Sequence, residues 1–253
     1  MHWTLILGLT IPGLMTGVGA IPALFAKNVK RKGLDMMLGF SAGIMLAATG
    51  FSLIIPSIEA GGDNLFLAVL VTGAGIFCGT VLIDMVDRLA PHEHLLNKRH
   101  EGMASDSLKK IWLFVIAITI HNIPEGMAVG VGFGSANVAH GLPIAVGIGL
   151  QNMPEGLAVA FALMRANYST KTAFWIAVLT GVIEPVMAFA GYGLVRLFQP
   201  ALPFILALAA GAMLFVIVDE VIPETHGGGN ERASSYALIL GFILMMVLDV
   251  TLG

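Results

Sequence analysis

Apolar segments that are long enough to cross a lipid bilayer follow one another through most of this chain. A hydrocarbon core of about 30 Å needs a helix of about 20 mainly apolar residues. Only 11% of the 253 residues are charged, against about 25% in soluble domains. We therefore predict an all-α membrane protein, an eight-transmembrane-helix bundle in which residues 1–253 form one domain embedded in the lipid bilayer. The predicted spans are 3–26, 36–56, 65–86, 111–133, 142–164, 172–195, 201–222 and 235–252.

The basic residues predict the orientation of this bundle. All but one of the 13 lysine and arginine residues fall in loops after odd-numbered spans, and the exception is Arg196. Cytoplasmic loops of membrane proteins carry an excess of lysine and arginine. We therefore expect both termini outside the cytoplasm and loop 88–110 inside it. The short loops and the lack of a targeting segment are typical of a multi-pass protein of a bacterial inner (cell) membrane.

Two simpler features limit the possible partners. The net charge of −3 gives no reason to expect a nucleic acid, and the single cysteine, Cys78, excludes an internal disulfide framework or thiolate cluster. Loop 88–110 contains His92, His94 and His100. Such a short histidine-rich tract is interpreted either as a tether that collects metal ions or as an ordinary solvated loop, and the sequence leaves both open.

One motif occurs in two consecutive spans. The fourth span contains HNIPEGMAV and the fifth contains QNMPEGLAV, and the sixth adds Glu184-Pro185. Because consecutive spans run antiparallel, the motif is presented from opposite directions, which indicates inverted-repeat character and a substrate site near the middle of the bilayer. We predict proline-kinked fourth, fifth and sixth helices, since each proline leaves the carbonyl four residues earlier without its helical partner. The matched pairs are Asn122/Asn152, Pro124/Pro154, Glu125/Glu155, Gly126/Gly156, Ala128/Ala158 and Val129/Val159.

The glutamates of these spans carry the strongest functional signal. An ionised side chain at the centre of a membrane helix costs roughly 2.5–3.5 kcal/mol, and no lysine or arginine lies in the middle of any span. Glu125, Glu155 and Glu184 must therefore be protonated, lie in a water-filled cavity, or hold a cation. Residues three and four apart share one helix face, so His121 and Asn122 lie on the face of Glu125. Gln151 and Asn152 repeat this geometry with Glu155.

These side chains are typical ligands of divalent transition metals. Imidazole, carboxylate and amide oxygen suit Zn²⁺, Cd²⁺, Fe²⁺ and Mn²⁺, whereas Cu⁺ prefers sulfur and Mg²⁺ keeps its waters. Two adjacent metals could share the site, with Glu125 and Glu155 bridging them. The sequence leaves three alternatives: polar groups that only join helices, a proton- or sodium-coupled carrier of another solute, and an intramembrane metalloprotease. The last needs H-E-x-x-H, and this chain has no second histidine beside His121.

The HNIPEG and QNMPEG motifs resemble the fourth and fifth spans of the ZIP (Zrt/Irt-like) metal transporters, nearest to the bacterial GufA-like branch. The resemblance extends to Glu184-Pro185 and to the run DEVIPETH at 219–226. It implies uptake of divalent metal ions, zinc first, toward the cytoplasm. We expect no enzymatic activity, and the sequence leaves open whether the protein forms a homodimer. The ligands that it implies are His121, Asn122, Glu125, Gln151, Asn152, Glu155 and Glu184, with Met45 of the second span as a further candidate.

The chain departs from the family pattern at several positions. Many relatives have histidine in place of Gln151 and a carboxylate in place of Asn152, so we expect a second metal position to be looser or differently selective. Relatives near this branch often have His-Glu in place of Asp219-Glu220. We interpret this pair either as exit-side metal ligands, with Asp84 and Asp87 as neighbours, or as ordinary interface carboxylates. Asp249, near the outer end of the last span, is a candidate for metal capture at the entrance.

Overall fold

The computed structural model describes residues 3–25, 30–89, 104–135, 141–165, 167–227 and 229–252, and these residues form helices and short connections without a strand. The prediction of an all-α protein is therefore confirmed for the described part of the chain. The α-helices are α1 (Trp3–Ala20), α2 (Arg31–Ala47), α3 (Ile55–Ala60), α4 (Leu65–Leu89), α5 (Ala104–Gly134), α6 (Gly141–Arg165), α7 (Thr170–Gly181), α8 (Ile183–Leu197), α9 (Leu202–Val216), α10 (Ile222–His226) and α11 (Glu231–Leu252).

Seven helical segments within the described residues are long and apolar enough to cross a membrane. They match the predicted spans except 111–133, which lies inside the 31-residue helix α5. The count of eight spans therefore stays a prediction. The seven segments are Trp3–Leu24, Arg31–Ala60, Leu65–Val86, Gly141–Arg165, Thr170–Leu197, Gln199–His226 and Glu231–Leu252.

Prolines and polar caps determine where several helices begin and where they are interrupted. The Ser169 hydroxyl accepts a hydrogen bond from the Thr172 backbone N–H at the start of α7, which satisfies one of the unpaired donors of a helix N-terminus. The sixth predicted span is interrupted at Val182, between α7 and α8, close to the carbonyl that Pro185 leaves unpaired. Helices α5 and α6 continue through Pro124 and Pro154, so kinks at these prolines stay predictions.

Two spans contain a π-helical segment. Residues Ala48–Ile54 join α2 to α3, and Ile217–Val221 join α9 to α10. Each segment precedes a proline, Pro56 or Pro223, in the first turn of the next helix. Because proline has no N–H, the backbone hydrogen bonding must adjust over the preceding turn. Such wide turns occur frequently at functional sites, and the second one carries Glu220.

The helices pack most extensively in four pairs: α1 with α6, α5 with α8, α2 with α11, and α4 with α9. Glycine makes these contacts close, because a Cβ added to Gly43 of α2 would lie 1.9 Å from the carbonyl oxygen of Leu238 in α11. Likewise, a Cβ on Gly211 of α9 would lie 2.0 Å from the carbonyl oxygen of Ile76 in α4. Membrane helices associate through small residues of this kind.

Large apolar side chains cover much of the outer surface, and polar groups lie inside. Phe66 of α4 is 75% exposed and Val250 of α11 is 80% exposed, whereas Glu125 is fully buried. This distribution is the reverse of that in a soluble bundle. It fits a chain whose outer surface faces lipid, and it places the polar site in the interior.

A charged cluster joins the start of α2 to α10 and to the residue before α11. The carboxylate of Asp35, which is fully buried, accepts hydrogen bonds from Arg31 Nε at 2.6 Å and Asn230 Nδ2 at 2.9 Å. Arg31 also contacts the Glu224 carboxylate at 3.1 Å. The cluster therefore connects α2 with α10 and with the turn before α11.

We expect Arg31→Met to destabilise the protein by about 3 kcal/mol, because it leaves the buried Asp35 carboxylate without its cation. The melting temperature of the detergent-purified protein should fall by about 5–10 °C. Lys32→Met is the control, since Lys32 forms no ion pair with the described residues. Adding Asp35→Asn to Arg31→Met should recover part of the loss. Equal melting temperatures for the Arg31 and Lys32 variants would contradict the prediction.

Candidate metal centre

The predicted ligands of the fourth, fifth and sixth spans meet in the interior of the bundle. Helix α5 supplies His121, Asn122 and Glu125, α6 supplies Gln151, Asn152 and Glu155, and α8 supplies Glu184. Each of these residues is at most 3% exposed. The three- and four-residue spacing within α5 and α6 places each set on the helix face that points inward.

Three of these side chains form a compact group that could hold a metal ion. One ligand atom each from His121, Glu125 and Glu155 lies within 4.8 Å of the other two. His121 Nε2 is 3.6 Å from Glu125 Oε1 and 3.8 Å from Glu155 Oε1. Tetrahedral ligands bound at about 2.1 Å from Zn²⁺ lie about 3.4 Å apart. The two imidazole–carboxylate distances are therefore close to those between ligands of one zinc ion.

The second ring nitrogen of His121 faces a different acid. Nδ1 lies 3.5 Å from Glu220 Oε2, and Glu220 comes from the π-helical segment after α9. A carboxylate on the far nitrogen of a histidine fixes the ring orientation and strengthens the metal-binding nitrogen. Asp219 lies in the same segment but is exposed, so the structure separates the two members of the predicted Asp219-Glu220 pair.

Glu184 and the two asparagines form the neighbouring part of the site. Asn152 Nδ2 donates to Glu184 Oε2 at 2.7 Å and to the carbonyl oxygen of Pro12 at 2.8 Å. Asn122 Nδ2 donates to the carbonyl oxygen of Thr180 at 2.9 Å. The Thr16 hydroxyl donates to Glu184 Oε1 at 3.4 Å. Helices α1 and α7 thus orient these ligands.

Several atoms that would bind a metal have no hydrogen-bond partner among the described residues. Gln151 Nε2 does have a partner, because it donates to Glu125 Oε1. The unpartnered atoms include both ring nitrogens of His121, one carboxylate oxygen of Glu125, and the amide oxygens of Asn122, Asn152 and Gln151. A buried polar atom without a partner is costly. His121 Nε2 and these oxygens are suitable donors to Zn²⁺ or a similar ion, so the residues present fit a divalent cation.

Comparison with known proteins identifies the relatives of this chain. The family model described as ZIP Zinc transporter matches residues 88–249. The chain is 43% identical to Zinc transporter GufA of Myxococcus xanthus over 96% of each protein, and 42% identical to Zinc transporter ZIPB of Bordetella bronchiseptica over 94% of this chain and 78% of that one. It is 35% identical to the human Zinc transporter ZIP11 over 94% of each.

The chain belongs to the ZIP zinc transporter family. The resemblance found in the PEG motifs is therefore confirmed, including the GufA-like branch. With its apolar helices, the protein is a multi-pass membrane protein. Its relatives are named transporters and not enzymes, so the metalloprotease hypothesis is not favoured.

The structure adds contacts to this ZIP site that the sequence did not indicate. The Ser41 hydroxyl of α2 lies 2.9 Å from the carbonyl oxygen of Gln151 and 3.3 Å from Glu155 Oε1. Met45 is fully buried one turn further along α2. A single serine in an apolar span is not part of any motif, so only the three-dimensional structure shows that Ser41 contacts a candidate ligand.

Among the remaining candidates, Asp84 and Asp249 have described side chains and do not belong to the compact group. Asp84 forms an ion pair with Arg88 at 2.9 Å, and the Asp87 side chain is outside the described part of the chain. Asp249 accepts a hydrogen bond from Ser52 of the first π-helical segment. The loop histidines His92, His94 and His100 are also outside the described residues.

The glycine after each motif glutamate brings a neighbouring backbone against the site. A Cβ on Gly126 would lie 2.4 Å from the carbonyl oxygen of Glu184, and one on Gly156 would lie 1.9 Å from the carbonyl oxygen of Thr16. These contacts place Glu184 beside Glu125 and place α1 beside Glu155. The glycine of the repeated ZIP motif therefore contributes to the site by allowing this close packing.

Proposed function

We propose that this protein transports Zn²⁺ across a cell membrane toward the cytoplasm, and that His121, Glu125 and Glu155 bind the ion on its way. The observation that carries the proposal is the buried group of one imidazole and two carboxylates within 4.8 Å. No lysine or arginine among the described residues pairs with these acids. A dication compensates such a charge, and Cd²⁺, Fe²⁺ and Mn²⁺ suit the same ligands.

A second metal position beside the first is part of this proposal. Glu184, Asn122 and Asn152 would hold it, with Glu125 and Glu155 bridging the two ions. Asn152 Nδ2 donates to Glu184 Oε2, and the Glu184 backbone packs on Gly126, next to Glu125, so an ion at this position would offset the charges of neighbouring acids. Because two of its ligands are amides, we expect this position to bind metal more weakly than the first.

The proposed membrane arrangement has eight spans with both termini outside, in a bacterial inner membrane. An inverted repeat would relate span one to span six, span two to span seven, span three to span eight and span four to span five. The helix pairs support this relation. Span one packs on span five, and its counterpart, span six, packs on span four. Span two packs on span eight, and its counterpart, span seven, packs on span three. The two π-helical segments also occur in spans two and seven.

The proposed route passes from the outer side through the buried site to the basic end of the bundle. The ion exchanges its waters for Glu125, Glu155 and His121, and Glu220 on the far side of His121 is the next acid that it meets. Exposed Asp219 then receives the ion at the exit, and Met45 contributes from α2. One group of helices moves against the other to alternate access. A homodimer is compatible with this arrangement.

Zinc uptake into proteoliposomes tests the function directly. Vesicles that contain the purified protein and a trapped zinc-sensitive dye should fill faster than protein-free vesicles when Zn²⁺ is added outside. Added Cd²⁺, Fe²⁺ or Mn²⁺ should slow the dye response if it shares the site. Zinc entry no faster than in empty vesicles would refute the proposal.

Metal analysis separates this function from proton- or sodium-coupled transport of another solute. The purified protein should retain zinc after dialysis, and His121→Ala should retain at least about tenfold less at the same free zinc concentration. A proton relay made of the same glutamates needs no metal. A protein that retains no zinc and shows no zinc flux would favour the relay.

A further inference from the structure

Two apolar crevices lie along the helix pair formed by α1 and α6. The first, here called the Met153 crevice, has a volume of about 600 Å³ and is lined by residues of α1, α2, α6 and α11. Such a volume is typical of small-molecule sites, which measure roughly 300–1,000 Å³. Its lining includes Val18, Met36, Phe40, Met153, Leu157 and Leu240.

The Met153 crevice opens onto the apolar outer surface of the helices. It lies within helices long enough to span a bilayer, and its mouth includes Leu240, which is 62% exposed, and Met36, which is 39% exposed. An acyl chain can fill such a lining without removing water from a polar group. The flexible methionine side chains can adapt to the shape of the chain.

Helices α2 and α11, which line one side of the crevice, each carry a basic residue on the same helix face as a crevice residue. On α2, Lys32, Met36 and Phe40 are four residues apart and therefore lie along one face. On α11, Arg232 is four residues before Tyr236, which is four before Leu240. Both faces thus lead from an exposed cation at the helix end to a side chain of the crevice wall.

Lys32 and Arg232 are available to bind an anion. Neither side chain has an ion pair or hydrogen bond with a described residue, whereas the side chain of the adjacent Arg31 contacts Asp35 and Glu224. Tyr236 is 60% exposed, as is common for aromatic residues at the membrane interface. The helix ends therefore offer two free cations at the depth of lipid headgroups.

We propose that the Met153 crevice binds one acyl chain of an anionic phospholipid whose phosphate lies between Lys32 and Arg232. Met153 and Leu157 flank Glu155 on α6, so the bound chain would lie directly behind a metal ligand. It would also lie between the helices that carry the site and α2 with α11. The lipid site does not depend on zinc being the transported ion.

The second crevice provides an internal comparison. The Met15 crevice has a volume of about 410 Å³ and lies between the other halves of α1 and α6, where its lining includes Ile11, Met15, Leu142 and Val146. Helix α1 contains no lysine or arginine, and Arg165 of α6 lies at the opposite end of that helix. The Met15 crevice should therefore accept acyl chains without a preference for anionic headgroups.

Native mass spectrometry of the detergent-purified protein tests the proposal. Dioleoyl phosphatidylglycerol should bind more tightly than dioleoyl phosphatidylcholine. Lys32→Gln and Arg232→Gln should each weaken phosphatidylglycerol binding about fivefold and leave phosphatidylcholine binding unchanged. Lys171→Gln, an exposed cation at the start of α7, is the matched control and should change neither affinity.

Two crevice-filling variants locate the acyl chain. Leu240→Trp should remove the tight phosphatidylglycerol complex, whereas Leu142→Trp at the Met15 crevice should preserve it. Equal binding of the two lipids by the unaltered protein would overturn the proposal, as would equal losses in the Lys32 and Lys171 variants. Retention of the tight complex in Leu240→Trp would place the lipid elsewhere. Uptake is not part of this readout, so failure here would leave the transport proposal standing.

Discussion

Replacing Glu155 by glutamine should abolish zinc uptake in proteoliposomes. The substitution preserves the size of the side chain but removes its negative charge, and an amide oxygen binds Zn²⁺ more weakly than a carboxylate. Loss of a partner that merely orients a ligand typically lowers metal affinity by 10–100-fold. Loss of this ligand should therefore lower zinc affinity by more than about 100-fold.

The position of Glu155 explains why its replacement should have the largest effect among the acids. Its carboxylate lies 3.8 Å from His121 Nε2 and 3.3 Å from the Ser41 hydroxyl. It also faces Glu125 in the compact group and is the proposed bridge to the second position. Glu155→Gln should therefore weaken both metal positions, whereas Glu184→Gln should weaken mainly the second.

Glu59→Gln is the matched control, since Glu59 is an exposed glutamate of α3. It should transport zinc at the rate of the unaltered protein. Size-exclusion chromatography and circular dichroism should show that Glu155→Gln remains folded. Undiminished zinc flux in a folded Glu155→Gln protein would show that the buried group is not on the transport route.

The buried group of candidate ligands could be expected from the sequence because charge in a membrane interior needs a partner. Three glutamates without a nearby lysine or arginine must lie together around water or a cation. The four-residue spacing from His121 to Glu125 and from Gln151 to Glu155 shows which face of each helix points toward the site. The structure places His121, Glu125 and Glu155 in one buried group and Glu184 against Asn152, and metal binding by these residues stays a prediction. The helical class and the membrane location follow from the same argument about solvent.

The hydroxyl groups around the site could not be predicted, because a serine or threonine in a membrane helix has a local alternative. Thr49 donates to the carbonyl oxygen of Met45 one turn earlier, which requires no partner on another helix. Ser41 and Thr16 instead reach Glu155 and Glu184. The residue type is compatible with both outcomes, so only the helix packing decides between them.

The positions of Asp219 and Glu220 could not be predicted for a different reason. Adjacent residues of a regular helix point in directions about 100° apart, and hydropathy does not show which of two acids faces inward. The π-helical segment Ile217–Val221 changes the register just before Pro223. As a result, Glu220 contacts His121 while Asp219 is exposed.

The pairing of the helices could not be predicted from the sequence either. Lipid tails and leucine side chains are equally apolar, so hydrophobicity does not favour one helix contact over another. Contacts between membrane helices depend on close packing at small residues, and this chain has 31 glycines. The structure shows that some glycines touch a neighbouring backbone whereas Gly193 of α8 has nothing within 4 Å of an added Cβ. Glycine content alone does not distinguish these two cases.

This difference leads to the second prediction, that Gly156→Ala should nearly eliminate uptake although alanine favours helix formation. The new Cβ would lie 1.9 Å from the carbonyl oxygen of Thr16, and a backbone atom cannot move aside as a flexible side chain can. Helix α1 must therefore shift away from α6. That shift would carry Thr16 and the Pro12 carbonyl away from Glu184 and Asn152, and overpacking of this kind costs about 1–3 kcal/mol.

Gly193→Ala makes the same chemical change where an added Cβ meets no atom, and it should keep full uptake and an equal or higher melting temperature. Gly156→Ala should lower the melting temperature and reduce uptake even in vesicles where the protein is fully inserted. If both variants transported zinc equally well, α1 and α6 could not be in close contact during transport. The orientation of Glu184 and Asn152 by α1 would then not be required for zinc to pass.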